Sequence, residues 1–264
     1  MYLQIGEQER GADRSRSEPP APMMALRSST CEEDAELAAR AGEFETYLFI
    51  RGEQNIVEHL KRTWSSLWTE RAIHNRSILR VDSARIGGGV IVQRMVLSRV
   101  SGVLQTVNVA SGELSEIVIN VGLGLGAGIV SGVVEADQIT VSKEGDLQSG
   151  HLRFRYVTGN KQKQVVFNQR TGFGTILVDT LSHQRLRPAL EYIELCELVR
   201  TAVRLEDVYG YPLDIEFAME GSRLWILQVR PVATFLANLN QTIESFSLAA
   251  DRTGTCIIHE VARS

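Results

Sequence analysis

The sequence contains little cysteine and no long apolar run. Its 3 cysteines lie far apart among 264 residues, and no two have the Cys-x-x-Cys spacing of a metal or redox site. A small, odd number of cysteines is typical of a reducing compartment. No apolar run approaches the roughly 18 residues of a membrane-spanning helix, and the polar first residues lack the apolar core of a secretory signal. These absences predict a soluble, cytoplasmic protein without a membrane partner.

Positive charge is also in the minority. The chain has 28 lysines and arginines against 32 aspartates and glutamates, a net charge of −4, which excludes the global basic field of a nucleic-acid-binding protein. The local basic run of Arg153, Arg155, Lys161 and Lys163 is predicted to be a solvated hairpin. Hydrophobic residues make up 44% of the chain, as in ordinary globular proteins. We therefore expect a mixed α/β protein without a nucleic-acid partner.

Two segments have helical periodicity. The first covers residues 53–76, where the following apolar residues recur every three or four positions: Ile56, Leu60, Trp64 and Leu67. The second covers residues 188–209, with Pro188 in its first turn and Gly210 as its stop signal. Its apolar stripe consists of Tyr192, Leu195, Cys196, Val199, Ala202 and Val203.

Short segments rich in β-branched and aromatic residues lie between the two helices and predict a block of strands. They read GVIVQRMV, VSGVLQTVNV, SEIVINV, QITVSKE, LRFRYV and QVVFN. After the second helix, LDIEFAME and LWILQVR predict a β-hairpin around Gly221 and Ser222. The first 22 residues have almost nothing to bury, so we expect them to form a polar, disordered tail.

The hairpin is predicted to carry one polar face. Residues alternate between the faces of a strand, and residues paired across a hairpin share a face. A turn centred on Ser222 pairs Glu216 with Gln228 and Asp214 with Arg230. The apolar residues behind them would be Ile215, Phe217 and Met219 from one strand and Trp225, Leu227 and Val229 from the other. A turn centred between Gly221 and Ser222 would put Glu216 opposite Leu227 and lose the pattern.

Such a face has two interpretations. A carboxylate and an amide oxygen side by side are hard ligands suited to Mg²⁺, which usually keeps waters and substrate phosphates as its other ligands. An arginine two residues further on can stabilise transferring phosphoryl oxygens. The alternative is a solvated hairpin face with an exposed ion pair worth about 0–1 kcal/mol. The spacing alone leaves both open.

The hairpin sequence DIEFAMEGSRLWILQVRPV resembles the segment that closes the ATP-grasp domain of the phosphoenolpyruvate synthase and pyruvate phosphate dikinase family, which includes rifampicin phosphotransferase. Earlier blocks resemble the same family in the same order. They are LRSSTCEEDAELAARAGEFETYLFIRG, TWSSLWTERAIHNR, GVIVQRMV with SGVLQTVNV, and GLGLGAGIVSGVVEADQITV. The resemblance covers roughly residues 26–232 in five ordered blocks.

The resemblance implies roles for individual residues. Arg27 would contact ATP phosphates, and Gly42 and Thr46 would lie in a phosphate-covering segment. Gln93 would lie on the strand that reaches the adenine. By the same comparison, Mg²⁺ and a phosphate would be bound by three residues of the hairpin, with Asp214 in support. These three are Glu216 and Gln228 for the metal and Arg230 for the phosphate, where Arg230 is also the implied catalytic residue.

The resemblance also implies the fold and its divisions. We expect an α+β (mixed α/β), ATP-grasp-like fold with an antiparallel-rich sheet, flanking helices and an incomplete N-terminal lobe. The tail would cover residues 1–22, the remnant of the N-terminal lobe 23–92, and the C-terminal lobe 93–232. Residues 233–264 form a segment without an assigned structure or role.

Three departures from the family pattern qualify the comparison. The family's Gly-rich segment with a phosphate-gripping lysine has no counterpart in residues 1–25, and the first lysine is Lys61. Ala127 stands where the family has the glutamate of its Gly-Leu-Gly-Glu motif. The phosphohistidine domain and the substrate barrel have no counterpart either. We therefore expect a truncated N-terminal lobe and a separate polypeptide that supplies the histidine.

A competing motif places Gly122, Gly124 and Ala127 in a dinucleotide-binding pattern, G-x-G-x-x-(G/A). That site requires a helix to begin there. The following GIVSGVVE reads as a strand, which argues against a dinucleotide site.

The sequence therefore predicts the ATP- and Mg²⁺-binding domain of a dikinase-type phosphotransferase, which passes a phosphoryl group from ATP to a histidine. The alternative is a degenerate, non-catalytic nucleotide-binding or interaction module.

Overall fold

The computed structural model describes residues 21–30, 45–79, 87–144 and 150–232. Its strands, in chain order, are β1 (Met24–Thr30), β2 (Thr46–Ile50), β3 (Gly88–Arg94), β4 (Val100–Gln105), β5 (Glu116–Leu123), β6 (Asp137–Ser142), β7 (Phe154–Val157), β8 (Lys163–Phe167), β9 (Thr175–Asp179), β10 (Leu213–Glu220) and β11 (Arg223–Pro231). Its helices are α1 (Glu53–Ser66), α2 (Glu70–Leu79), α3 (Ala127–Val130) and α4 (Tyr192–Tyr209). Most of the predicted tail and all of residues 233–264 lie outside this part of the chain.

Antiparallel pairing joins the strands of the described residues into three sheets. One sheet has the order β2-β1-β3, a second has the order β11-β10-β4-β5-β6-β7, and β8 pairs with β9. The predicted class, a mixed α/β fold with antiparallel-rich sheets and flanking helices, is confirmed. Strands β1, β2 and β9 are not among the predicted strands.

One face of the six-stranded sheet forms the main core. Alternate residues of its strands are fully buried and pack against α4: Leu104, Ile117, Ile119, Ile139 and Val141 from the sheet, and Leu195, Leu198, Val199 and Ala202 from the helix. The opposite face is half-buried and largely polar. Across it, Glu216, Val103, Asn120 and Gln138 are paired in one row. The helix thus covers one face and leaves the face that carries Glu216 open to a ligand.

Helix α4 begins later than the sequence predicts. Its first residue is Tyr192, whereas Pro188 precedes the helix. Glu191 has an extended backbone and forms a capping box with Glu194, so these two side chains accept from two backbone N–H groups at the start of the helix. The stop signal at Gly210 is confirmed, because this residue is left-handed with a φ of 76°.

The predicted helix over 53–76 is two helices, α1 and α2, with a break at residues 67–69. Of the predicted apolar stripe, only Leu67 is buried. The side chains that α1 buries are instead His59, Thr63 and Ser66. Burying them is tolerated because each bonds to a main-chain carbonyl one turn earlier in the same helix.

The prediction of a solvated basic hairpin is wrong for Lys161. Its ammonium group is fully buried and bonded to Asp137, whose carboxylate also accepts from the Tyr156 hydroxyl and the Gly159 amide. The flanking strands do not form a hairpin with each other either, since β7 pairs with β6 and β8 pairs with β9. A buried charge of this kind is stable only when it is paired. Asp137 lies 24 residues away in the sequence, so the pattern around Lys161 does not reveal its partner.

The segment after Gly124 also differs from its prediction. Residues 127–130 form the short helix α3, not a strand, and the Ser131 hydroxyl donates to the Ala127 carbonyl at its end. The dinucleotide motif nevertheless has no matching fold here. β5 and β6, the strands on either side of α3, are antiparallel neighbours, whereas a dinucleotide site needs a parallel βαβ unit.

A second apolar cluster joins the three-stranded sheet to the rest of the protein. Phe49 of β2 is buried with Leu125, Val134 and Val165, and its ring centroid lies 4.4 Å from that of Phe167. This packing holds β2, and with it the paired strand β1, against the segments around α3 and β8. Among the described helices, none has the length and apolar character needed to cross a membrane.

Candidate functional site

The β10–β11 hairpin has a tighter turn than predicted. Glu220 pairs with Arg223, so Gly221 and Ser222 alone form the turn, and the prediction of a turn centred on Ser222 is wrong. Gly221 has a φ of 61°. A type II′ hairpin turn requires this conformation at its first central residue, and glycine adopts it without steric strain.

A β-bulge restores the predicted pairing further along the strands. The register shifts between Glu216 and Phe217, which leaves Leu227 as the extra residue of β11. Glu216 therefore lies opposite Gln228, and Asp214 lies opposite Arg230. Both pairs match the sequence prediction, although the turn that was expected to produce them does not exist.

The bulge also changes which β11 residues face the core. Leu224 and Ile226 pack into the core with Val229, so the assignment of Trp225 and Leu227 to that face is wrong. Leu227 instead lines the cleft beside Glu216. The extra residue shifts the alternation by one position between the turn and the site.

Arg27 extends from β1 to the polar face of the hairpin. Its Nη2 atom lies 3.1 Å from Glu216 Oε2 and donates a second hydrogen bond to Gln228 Oε1. The side chains of Arg27 and Glu216 are 22% and 16% exposed, so the ion pair is largely shielded from water. A side chain of the three-stranded sheet thus bonds to both predicted metal ligands of the six-stranded sheet.

Arg230 completes a four-charge cluster with Asp214, Glu216 and Arg27. Its Nε atom donates to Asp214 Oδ2 at 3.2 Å, and its Nη2 atom lies 3.5 Å from Glu216 Oε1. Burial raises the pKa of the Asp214 carboxyl, while the attraction of Arg230 acts in the opposite direction. Two guanidinium groups face two carboxylates, so the cluster has no net charge when both acids are ionised.

A cleft of about 420 Å³ brings the predicted site residues together. Arg27, Thr46, Gln93 and Glu216 all line it, although they come from four different strands. Gln228 and Arg230 bond directly to Arg27 and Glu216 at its edge. This volume is within the usual range for a small-molecule site. The remaining prediction, Gly42, lies outside the described residues.

The cleft also contains residues that the sequence analysis missed. Its apolar part is formed by Leu48, Met95, Val96, Leu125 and Leu227, and Arg94 and Ser98 add polar groups. Arg94 follows Gln93 directly, which is the one local signal that could have pointed to it. Leu227 has no such signal, because its position depends on the bulge. Ala127 lines the same cleft and provides no carboxylate there.

The donor atoms present fit a divalent cation only if a ligand supplies the rest. Glu216 Oε2 and Gln228 Oε1 converge on one point, since both accept from the same nitrogen of Arg27. Carboxylate and amide oxygens are the ligands that Mg²⁺ prefers. Within the described ranges, no three His, Cys, Asp or Glu side chains cluster as a complete metal site. Phosphate oxygens and water would have to fill the other positions.

Comparison with known proteins finds a matching family model. The family model described as "Pyruvate phosphate dikinase, AMP/ATP-binding domain" matches residues 4–247. The chain is 36% identical to phosphoenolpyruvate synthase of Pyrococcus furiosus over 222 residues, which are 80% of this chain and 26% of that protein.

Two further relatives have other names. The chain is 35% identical over 212 residues to the prodigiosin synthesizing transferase PigC of Serratia marcescens, and 34% identical over 210 residues to a rifampicin phosphotransferase of Streptomyces sp.. Each alignment covers 80% of this chain and 23% of the relative. The chain therefore spans about a quarter of the length of the curated relatives that it matches.

Proposed function

This chain belongs to the family of the pyruvate phosphate dikinase AMP/ATP-binding domain, and on that premise we propose that it binds ATP with Mg²⁺ in the cleft and acts as the nucleotide-binding half of a phosphotransferase. The phosphoryl group of ATP would pass to a histidine on another domain or chain. The match covers about a quarter of each relative. We place the histidine that accepts the phosphoryl group outside the matched region.

The convergence of the predicted residues on one cleft is the observation that carries this proposal. Glu216 and Gln228 would hold Mg²⁺, and the metal, when bound, would neutralise phosphate charge during transfer. Arg27 and Arg230 would donate hydrogen bonds to phosphate oxygens, since a guanidinium group matches the geometry of phosphate. Asp214 would hold Arg230 in place through their 3.2 Å contact.

The apolar part of the cleft suits a nucleoside. Leu48, Met95 and Leu125 belong to one apolar cluster, and Gln93 lines the same cleft with an amide that can both donate and accept hydrogen bonds. We assign the base to this part of the cleft and the phosphates to the part with the charged cluster. Thr46, which is exposed at the cleft entrance, would cover the phosphates.

The division into lobes is part of the same proposal. Residues 23–92 contain the three-stranded sheet up to the last residues of β3, together with α1 and α2. Residues 93–232 contain the six-stranded sheet, the β8–β9 pair and α4. The cleft lies where these two parts meet, which is the arrangement expected of an ATP-grasp-like domain.

A degenerate, non-catalytic nucleotide-binding or interaction module is the second candidate. One observation favours it: Ala127 lines the cleft at the position where the resemblance implies a glutamate. A domain that lacks this carboxylate could retain ATP through Arg27, Glu216 and Arg230 without transferring the phosphoryl group. Binding and transfer therefore need separate measurements.

Calorimetric titration of the full chain with ATP and Mg²⁺ tests the proposal. Glu216→Ala and Arg230→Ala should each weaken binding about ten- to a hundredfold, because each removes a charge-assisted contact worth about 1.5–3 kcal/mol. The matched controls are Glu58→Ala and Arg223→Ala, which remove the same charges from exposed positions outside the cleft. Absence of binding, or binding unaffected by both site variants, would refute the assignment.

A further inference from the structure

We propose that Arg27 occupies the place of the metal ion when no nucleotide is bound, and that nucleotide phosphates must draw Arg27 away before the cation can enter. Arg27 would then couple metal binding to nucleotide binding. This inference rests on the proposed function, because it takes Glu216 and Gln228 as the metal ligands.

The geometry of the Arg27 contacts is the first support. A single nitrogen, Nη2, bonds to both Glu216 Oε2 and Gln228 Oε1. A cation that used the same two oxygens would have to lie close to where this nitrogen is, so the guanidinium group and the metal exclude each other. Arg27 belongs to another sheet than its two partners, and a long arginine side chain can move without a change in either sheet.

The charge balance of the cluster is the second support. Arg27 and Arg230 already neutralise Asp214 and Glu216. A divalent cation alone would add two positive charges beside two guanidinium groups in a partly shielded site, where such repulsion is strong. Triphosphate brings the negative charge that removes this repulsion, and it offers Arg27 a new set of acceptors.

The consequence is a reciprocal coupling between the two ligands. If nucleotide favours the state in which Arg27 has left the two oxygens, it must raise the affinity for metal, and metal must raise the affinity for nucleotide by the same factor. Without nucleotide, the wild-type chain should bind metal weakly. Removing the positive charge of Arg27 should release this restraint.

The test is a titration of the full chain with Mn²⁺ in the absence of nucleotide, followed by electron paramagnetic resonance of free Mn²⁺. Two neutral variants, Arg27→Gln and Arg27→Leu, should bind Mn²⁺ at least about tenfold more tightly than the wild type. Arg223→Gln is the matched control. It removes a positive charge from the same strand as Gln228, about 16 Å away along that strand, and should leave the Mn²⁺ affinity unchanged.

Each outcome decides between explanations. Mn²⁺ affinity that stays equal or falls in the neutral Arg27 variants overturns the proposal. Loss of folded structure in both variants, detected by circular dichroism, overturns it as well, since Arg27 would then be a permanent structural contact. Adding Glu216→Gln to the Arg27→Gln variant separates this from the proposed function: if the double variant binds Mn²⁺ as tightly as Arg27→Gln alone, the metal site itself is wrong.

Discussion

The buried pair of Asp137 and Lys161 permits a quantitative test of how the six-stranded sheet is held to the segment that precedes β8. Both side chains are 0% exposed. Lys161→Met keeps most of the volume of the side chain and removes its charge, which leaves the Asp137 carboxylate without its cation. Breaking such a pair on one side generally costs about 3–5 kcal/mol of unfolding free energy.

The other hydrogen bonds to the Asp137 carboxylate narrow the expected loss of unfolding free energy. Its carboxylate also accepts from the Tyr156 hydroxyl at 2.7 Å and from the Gly159 and Ala189 amides at 2.8 Å each. These three donors remain in Lys161→Met and continue to stabilise the negative charge. We therefore expect a loss near the lower limit, about 3 kcal/mol.

A double-mutant cycle measured by urea denaturation, with circular dichroism as the signal, tests the origin of the loss. In an Asp137→Asn background the buried Lys161 ammonium is the unpaired charge, and Lys161→Met removes it. The same lysine substitution should therefore cost less than about 1 kcal/mol there, or stabilise the protein. Lys163→Met, at an exposed position two residues further on, is the control and should change stability by less than about 0.5 kcal/mol. A loss under about 1 kcal/mol for Lys161→Met, or an equal loss in both backgrounds, would show that the unpaired carboxylate is not the cause.

Two further predictions concern the same region. Burial raises the pKa of the Tyr156 hydroxyl above its usual value of 10.0, so this group stabilises the fold fully below pH 10 and loses that contribution as the pH rises further. Tyr156→Phe should lower the unfolding free energy by about 1.5–3 kcal/mol at pH 7. At pH 11, urea denaturation should show a smaller difference in unfolding free energy between the variant and the wild type. An equal difference at both pH values would contradict this. At Gly124, with a φ of 81°, a Cβ would collide with the Val165 carbonyl oxygen. Gly124→Ala should therefore lower the unfolding free energy by at least about 2 kcal/mol more than Gly112→Ala does. Gly112 has a similar φ but open space around it. Equal losses of unfolding free energy in thermal or urea unfolding would show that the clash at Gly124 is relieved.

The strand pairs of the site could be predicted because their signal is local. Alternation along LDIEFAME and LWILQVR indicates which residues share a face, and Glu216 with Gln228 follows from a hairpin of the right register. The bulge at Leu227 could not be predicted, because nothing in the spacing distinguishes an extra residue from a regular one. The predicted pairing is correct because the shorter turn and the bulge compensate each other.

The partners that lie far apart in the sequence could not be derived from periodicity. Arg27 lies 189 residues before Glu216, and only the family resemblance pointed to it. The same limit explains Lys161, which reads as a surface residue until β6 brings Asp137 beside it. In α1, polar residues that satisfy their own hydrogen bonds are buried, whereas Ile56 and Leu60 of the predicted stripe are only half-buried, so hydrophobic spacing alone could not identify the centre of the buried side.

The position of the metal ion tests the central claim most directly. Crystals of the full chain grown with Mn²⁺ and a non-hydrolysable ATP analogue would reveal the metal through its anomalous scattering. We predict a peak within coordination distance of Glu216 Oε and Gln228 Oε1, with Arg27 turned towards the phosphates and the remaining ligands supplied by phosphate and water. A peak elsewhere in the protein, or a nucleotide bound outside the cleft, would contradict the account.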